Sequence, residues 1–236
     1  YVLNNPDDVK PHWVSHFIVP TANELLIKIK NKNGDSGFGL ATSYSNISPI
    51  IKPFSNGLQD FIIGQDPFCP EKIYESISKL TDTKISSEKG WSKEALIRIS
   101  AALDIACWDL MGKSSNIPLY KLFGGYRNKI PVYVTCGYYR EGKTETELKE
   151  ELTKLIEIGH QSFKVKAGGL TIKEDTKRLE IIRDVIGQDK ALMIDVNRAW
   201  DLKTAIEGIE EFKKFNPAWI EEPLRWEDDR RTLKLL

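Results

Sequence analysis

Three short polar signatures mark the positions in this chain where chemistry could take place. They are Lys164-Val165-Lys166, Asp195-Val196-Asn197 and Glu221-Glu222-Pro223, and each ends an apolar run that is typical of a buried strand. Side chains two residues apart in a strand point to the same side, so the two lysines point together, and so do Asp195 and Asn197. If the three strands are neighbours in a parallel barrel, two ammoniums and two carboxylates meet at one mouth.

Such a group of side chains suits a divalent metal that holds a carboxylate substrate, beside a lysine that moves a proton. Asp195 and Glu221 offer carboxylate oxygens, which favours the hard cation Mg²⁺, or Mn²⁺. The sequence contains no His or Cys cluster with zinc spacing. Asn197 has the parity to hydrogen-bond a substrate or a ligand. Glu222 has the opposite parity from Glu221, and a salt bridge outside the site is an equally good interpretation of it.

Each of these residues also has a plainer interpretation. A lone Lys-x-Lys pair is usually a solvated surface feature, and a single acid is often a helix cap or a salt-bridge partner. Lysine is rarely buried without an anionic neighbour, however, so two inward lysines on an apolar strand require nearby acids. Asp195 is also not needed as a cap, because Asp201 already precedes the next helix.

The second half of the chain alternates strands and helices. We predict strands over 130–136, 162–166, 191–195 and 218–221, which begin roughly 30 residues apart, the length of a βαβ unit. Thr144 with Glu147 and Thr171 with Glu174 form capping boxes that begin helices, and Asp201 caps a third helix. The pattern indicates a TIM-type β/α barrel domain over 129–236, with four units where a closed barrel has eight. A doubly wound sheet is the alternative, although no Gly-rich phosphate loop follows the first strand.

The first half, residues 1–128, is predicted to be a separate α+β domain. A hairpin is expected over 24–42, with its turn at Asn33-Gly34-Asp35. Helices follow, one beginning at Pro70 and a longer one over 92–111 that we expect Gly112 to end.

Composition limits the classes of function. The 236 residues include 41% hydrophobic residues, enough for a sizeable core, and equal numbers of acidic and basic residues give a formal net charge of zero. This balance does not favour nucleic-acid binding or an electrostatic membrane anchor. The three cysteines are widely spaced, so we expect a reduced, cytoplasmic setting.

The ordered set of signatures resembles the enolase superfamily, and within it the mandelate racemase and muconate lactonising enzyme family of the Lys-x-Lys type. The stretch over 101–125 and the hairpin residues Gly37-Phe38-Gly39 are also similar to that family, in which an N-terminal capping domain precedes a barrel. The resemblance implies that Lys166 is the general base and that Lys164 stabilises the enediolate. It also implies that Asp195 and Glu221 are two of three Mg²⁺ ligands.

The third acidic ligand and a second acid/base group would come from later strands of such a barrel. We therefore expect a fragment that lacks the C-terminal half of the barrel, and independent activity of the fragment is in doubt. The resemblance also implies loops over the barrel mouth, for which 13–21 and 44–46 are candidates. His16, Tyr138 and Arg140 are candidate substrate contacts, although a surface loop position explains His16 and Arg140 at least as well.

The resemblance implies Mg²⁺-dependent abstraction of the proton α to a carboxylate, and within this chemistry we predict an acid-sugar dehydratase of carbohydrate acid catabolism. Racemisation or epimerisation of a hydroxy acid is the close alternative. A metal-free Schiff-base lysine and an inactive truncated scaffold are further hypotheses. We expect a small carboxylate substrate as the partner, no nucleic acid and no membrane, and a homo-oligomer for the full-length protein.

Overall fold

The computed structural model describes residues 2–3, 11–15, 17–19, 22–44, 46–227 and 230–236. In chain order, the strands of this part are β1 (Val2–Leu3), β2 (His12–Val14), β3 (Phe17–Val19), β4 (Asn23–Lys30), β5 (Ser36–Ser43), β6 (Val134–Cys136), β7 (Ser162–Lys166), β8 (Ala191–Asp195) and β9 (Trp219–Glu221). The α-helices are α1 (Ser48–Ser55), α2 (Pro70–Ser78), α3 (Lys84–Lys89), α4 (Lys93–Ser114), α5 (Leu119–Leu122), α6 (Glu145–Glu157), α7 (Ile172–Ile186), α8 (Leu202–Phe212) and α9 (Arg230–Leu233).

The chain divides into two compact units. The first consists of Tyr1–Val9 with Thr21–Ile130, and the second consists of Lys10–Pro20 with Pro131–Leu236. Each unit has its own cluster of buried apolar residues.

The first unit packs helix α4 directly on an antiparallel sheet of order β1-β4-β5. The predicted hairpin is the β4–β5 pair, in which Ile27 lies opposite Gly39. Glycine at 39 allows the close approach of helix and strand, because a Cβ atom there would lie 1.9 Å from the carbonyl oxygen of Ala102.

Helix α4 begins where the sequence predicts, since the Ser92 side chain accepts a hydrogen bond from the Ala95 amide. The prediction that Gly112 ends this helix is wrong, because α4 continues to Ser114. The left-handed residue that ends it is Asn116, with φ of 51°, and the next amide, that of Ile117, donates back to the Gly112 carbonyl at 3.0 Å.

The second unit contains a parallel sheet of order β6-β7-β8-β9, with α6, α7 and α8 in the connections. Strand order follows chain order without the reversal that defines a doubly wound sheet. The predicted fold class, an N-terminal α+β part followed by a partial parallel β/α barrel, is confirmed.

Alternation along these strands separates an apolar face from a charged face. Phe163, Val165, Leu192 and Ile194 are fully buried and belong to one apolar cluster with residues of the three connecting helices. The intervening side chains, Lys164 and Lys166 among them, therefore project from the opposite face of the sheet.

Local signals fix where the connecting helices begin. The hydroxyls of Thr144 and Thr171 accept from the amides of Glu147 and Glu174, whose carboxylates accept in return, so both predicted capping boxes are present. Asp201 caps α8 through the Thr204 amide.

The strand predicted over 130–136 is shorter than expected, since β6 covers Val134–Cys136. Val134 pairs with Phe163, the second residue of β7, so the residues before 133 extend past the beginning of the neighbouring strand and have no ladder to join.

Strands β2 and β3 form a short hairpin with Trp13 opposite Ile18, and all of it except His12 falls within the first predicted mouth loop. Trp13 exchanges two backbone hydrogen bonds with Tyr139, at 2.9 and 3.2 Å, in the loop that follows β6. The hairpin therefore belongs to the unit that carries the parallel sheet.

Within the described ranges, no helix combines the length and the apolar character needed to cross a bilayer.

We expect Gly39→Ala to lower the free energy of unfolding by about 3 kcal/mol, the upper end of the cost of overpacking, because the clashing atoms belong to the α4 backbone. Leu40→Ala is the matched control on the adjacent residue, which is exposed, and should change stability by no more than about 0.5 kcal/mol. Urea denaturation of both variants measures the difference, and equal losses would contradict the packing account.

Candidate active site

The register of the parallel sheet places the three polar signatures at one level. Lys166 lies opposite Asp195, and Asp195 lies opposite Glu221 on the next strand. All three residues end their strands, at the edge where active sites of β/α barrels are built.

The two ammoniums and two carboxylates form one ion cluster, comprising Lys164, Lys166, Asp195 and Glu221. Lys166 Nζ lies 2.8 Å from Asp195 Oδ2, and Lys164 Nζ lies 2.9 Å from Glu221 Oε1 and 3.4 Å from Asp195 Oδ2. Asp195 is 2% exposed, Lys166 6% and Lys164 9%. The structure thus brings together the four side chains that the sequence selected.

Asn197 joins this cluster from the segment that follows β8. Its side-chain oxygen accepts a hydrogen bond from Lys166 Nζ at 3.0 Å, and its backbone amide donates to Asp195 Oδ1 at 3.0 Å. Asn197 has φ of 49°, a left-handed conformation that asparagine tolerates better than most residues. Its carbonyl accepts a hydrogen bond from the Ser15 hydroxyl at 3.1 Å, which connects the β2–β3 hairpin to the end of β8.

The charges of the cluster balance one another. Burial opposes the charge on Lys164, but the hydrogen bond from its ammonium to Glu221 and the charges of Asp195 and Glu221 outweigh burial and raise the pKa of Lys164. Lys164 is therefore a fixed positive charge at neutral pH, suited to stabilising negative charge on a bound molecule.

The carboxylates fit as two of the ligands of a hard divalent cation. Asp195 and Glu221 both lie beside one cationic group, the Lys164 ammonium, so their oxygens already converge on a single position. In the described part of the chain, no group of three or more His, Cys, Asp and Glu side chains is arranged to hold a metal ion. Glu222 pairs instead with Arg198, whose Nε lies 3.4 Å from Glu222 Oε2.

The predicted substrate contacts are placed differently from one another. The Tyr138 ring centroid lies 5.3 Å from Lys166 Nζ, at the ion cluster. The guanidinium of Arg140 forms an ion pair with Glu147 at 2.5 Å and lines a cavity of about 340 Å³ beside the N-termini of α6 and α7. His16 lies outside the described residues, as does Ser45 of the second predicted loop, whose neighbours Tyr44 and Asn46 are exposed.

His12 is a candidate that the sequence reasoning missed. Its ring lies 4.8 Å from the Tyr138 ring, and burial together with the positive charge of Lys166 lowers its pKa. No local pattern marks His12, because its place near Lys166 depends on the pairing of Trp13 with Tyr139.

Trp219 and Tyr133 were also missed. The Trp219 indole donates to Glu221 Oε2 at 3.2 Å, and the Tyr133 ring lies 5.4 Å from Lys164 Nζ. The sequence did carry a signal for Trp219, because it stands two residues before Glu221 on the same strand and its side chain therefore points to the same side.

The cysteines are free and separate from this chemistry. Cys69 is exposed, whereas Cys107 and Cys136 are buried. Burial raises the pKa of Cys136 to about 12, so its thiol is a poor nucleophile.

Comparison with known protein families gives two matches. The N-terminal domain family of mandelate racemase and muconate lactonizing enzyme matches residues 1–124. A family described as enolase C-terminal domain-like matches residues 147–236.

Curated relatives include dehydratases and racemases. Arabinonate dehydratase of Saccharolobus solfataricus is 30% identical over 201 residues, covering 85% of this chain and 52% of the relative. L-talarate/galactarate dehydratase of Salmonella typhimurium is 32% identical over 203 residues, covering 85% and 48%. N-succinyl-L-Arg/Lys racemase of Bacillus cereus is 29% identical over 225 residues, covering 92% and 56%. The chain spans about half the length of the curated relatives it matches.

Solved structures of two of these relatives share the fold. The Salmonella dehydratase, liganded with Mg and L-lyxarohydroxamate, matches with a TM-score of 0.83 at 26% identity, covering 100% of this chain and 60% of that chain. The Bacillus racemase matches with a TM-score of 0.77 at 28% identity, covering 97% and 59%.

We expect Lys166→Met to raise the pKa of His12, because the substitution removes one of the two causes that lower it, while burial remains. NMR titration of the imidazole resonances measures this pKa. Lys154→Met, which removes an exposed lysine of α6, is the control and should leave the pKa unchanged. An equal rise in both variants would contradict a local effect of Lys166.

Proposed function

Because the chain belongs to the mandelate racemase and muconate lactonising enzyme family of the enolase superfamily, we propose that the full-length protein abstracts the proton α to a carboxylate through an enediolate of its substrate. We propose further that it is an acid-sugar dehydratase. The observation that carries the proposal is the ion cluster, in which Lys164, Lys166, Asp195 and Glu221 from three adjacent strands share hydrogen bonds and ion pairs.

Within this proposal each side chain has one task. Lys166, in its neutral form, takes the α-proton as general base, and the fixed charge of Lys164 stabilises the negative charge that develops on the substrate. Asn197 donates or accepts a hydrogen bond at the same mouth. Tyr138 and His12 contact the substrate from the side of the hairpin. Arg140 and His16 remain predicted contacts.

Asp195 and Glu221 would hold Mg²⁺ as two of its ligands. When bound, the cation would neutralise the substrate carboxylate and so make the adjacent proton more acidic. Magnesium is present in solved structures of relatives, including the Salmonella dehydratase. Manganese is a second cation that the same oxygen ligands would accept.

The proposed domain division is 1–128 for the capping domain and 129–236 for the first half of the barrel domain. In the proposal the second acid/base group and the third metal ligand belong to the rest of the full-length barrel. We further propose that the full-length protein is a homo-oligomer.

Racemisation or epimerisation is the second candidate, because the Bacillus racemase is similar to this chain over 92% of its length. The cluster suits both reactions, since each begins with removal of the same proton. The two reactions differ in their second step, in which a dehydratase expels the β-hydroxyl as water, whereas a racemase returns a proton to the opposite face.

A Schiff-base mechanism has less support. The carboxylates of Asp195 and Glu221, which lie beside the two lysines, have no part in a metal-free Schiff-base mechanism, whereas they fit a metal-dependent one.

We expect the full-length protein to dehydrate at least one acid sugar from a library, and EDTA to abolish turnover. Keto-acid formation reports dehydration, whereas deuterium uptake from D₂O without loss of water reports racemisation. Lys166→Met should lower kcat by about 10²–10⁴-fold, the usual contribution of a general base.

Lys177→Met, an exposed lysine of α7, is the control for that measurement and should keep the activity of the parent protein. Turnover that persists without a metal would overturn the proposal, and the absence of any turnover or exchange would favour an inactive scaffold.

We expect the 236-residue chain to bind Mg²⁺ only weakly, in the millimolar range, because it supplies two carboxylates to the site. Asp195→Asn should abolish this binding in calorimetric titration. Asp189→Asn, the same change at an exposed position, should not affect it. Micromolar binding by the unmodified chain would contradict a two-carboxylate site.

A further inference from the structure

A polar network that is separate from the ion cluster contacts the backbone of Lys166. It consists of Tyr139, Asp175 and Arg178, from the loop after β6 and from the first half of α7. Asp175 is 1% exposed, an unusual position for a carboxylate that no proposed step of the reaction uses.

Asp175 closes the loop that follows Lys166. Its Oδ2 accepts from the Gly168 amide at 2.8 Å and from the Leu170 amide at 3.4 Å. Its Oδ1 accepts from the Tyr139 hydroxyl at 2.6 Å and from Arg178 at 3.0 Å. The carboxylate is therefore fully used in holding backbone and side chains in place.

The loop needs such support because of its residues. Gly168 has φ of +84°, and a Cβ atom at Gly169 would lie 2.6 Å from the Tyr139 ring. Two successive glycines leave a backbone with many alternative conformations, so external hydrogen bonds must select one. The Tyr139 hydroxyl supplies one of them by accepting from the Gly169 amide at 3.1 Å.

Arg178 bridges the ends of two neighbouring strands beyond their last paired residues. The ladder between β6 and β7 ends at Cys136 and Val165. The guanidinium donates to the Lys166 carbonyl at 3.2 Å and to the Gly137 carbonyl at 2.8 Å. It also lies over the Tyr139 ring, 4.1 Å from the centroid. The Arg178 guanidinium thus connects the two strands where their backbone hydrogen bonds end.

We propose that Arg178, oriented by Asp175 and Tyr139, is a positioning residue for Lys166. The carbonyl of Lys166 is held by Arg178 on one side, while on the other the following amide, that of Ala167, donates to the Asp195 carbonyl at 3.0 Å. With its backbone fixed on both sides, Lys166 keeps its ammonium at Asp195 and Asn197. The inference rests on the proposed function, in which Lys166 is the base.

The same network holds the hairpin to this strand end. Tyr139 shares its hydroxyl with Asp175 and Gly169, and its backbone pairs with Trp13 of the hairpin. Residues that lie far apart in the sequence are thereby fixed relative to Lys166.

Arg178→Lys tests the proposal, because lysine keeps the positive charge beside Asp175 but lacks the planar fork that reaches two carbonyls at once. The measurement is competitive acetylation with acetic anhydride as a function of pH, followed by mass spectrometry that resolves Lys164 from Lys166. We expect the Lys166 acetylation rate to rise about tenfold, which corresponds to loss of one hydrogen bond to a charged group. The Lys164 rate should change little.

The selectivity separates positioning from a merely structural role. General loosening of the domain would raise the rates of both lysines together, and that result would overturn the proposal, as would an unchanged Lys166 rate. Arg127→Lys, the same change at an exposed residue, is the control and should alter neither rate. If Arg178→Lys does not fold, Tyr139→Phe takes its place, with the same selective rise expected and the same results overturning the proposal.

Acetylation requires no substrate, metal or turnover. The positioning role of Arg178 and the proposed function are therefore tested by independent measurements. A selective rise at Lys166 in a full-length protein without turnover supports positioning and contradicts the proposed function. Normal turnover together with an unselective rise contradicts positioning and leaves the proposed function standing.

Discussion

The pairing of two buried ammoniums with two carboxylates is the interaction on which the rest of the second unit depends. Removing such charges from water costs several kcal/mol per ion, and only close partners with good geometry repay that cost. Lys164 and Lys166 meet this condition because a regular ladder places Asp195 on the next strand and Glu221 on the strand after it, at the level of Lys166. The register of the sheet is therefore an electrostatic requirement as well as a packing one.

The supports of this cluster come from a different layer of the structure. The strands set the level of each side chain, whereas the bonds that fix the strand ends come from α7 and from the loop after β6. Arg178, Asp175 and Tyr139 together form hydrogen bonds with the carbonyls and amides that follow the last paired residues of these strands. This arrangement places the acids and amines on strands whose ends are held by hydrogen bonds from neighbouring elements.

Similarity to dehydratases and to racemases is consistent with what the cluster is able to do. In the proposed function, dehydration and racemisation share the removal of one proton and differ only in the step that follows. The matched relatives are about twice as long as this chain, and in the proposal its described residues serve the removal of the proton. In the proposal, His12 and Tyr138, which come from the β2–β3 hairpin and the loop after β6, would contact the substrate.

The sequence alone determined the features that depend on short-range geometry. Strand parity grouped Lys164 with Lys166, and capping residues located the beginnings of α6, α7 and α8. Asn197 joins Asp195 as a left-handed residue beyond the end of β8, which strand parity does not describe. The sequence could not determine where β6 begins, because the length of a strand depends on its neighbour. Nor did it show the network behind Lys166, since Arg178 reaches the Gly137 carbonyl across 41 residues of sequence. Periodicity records which side of its own element a residue occupies. Which residues of different elements meet is decided only when the helices and strands pack.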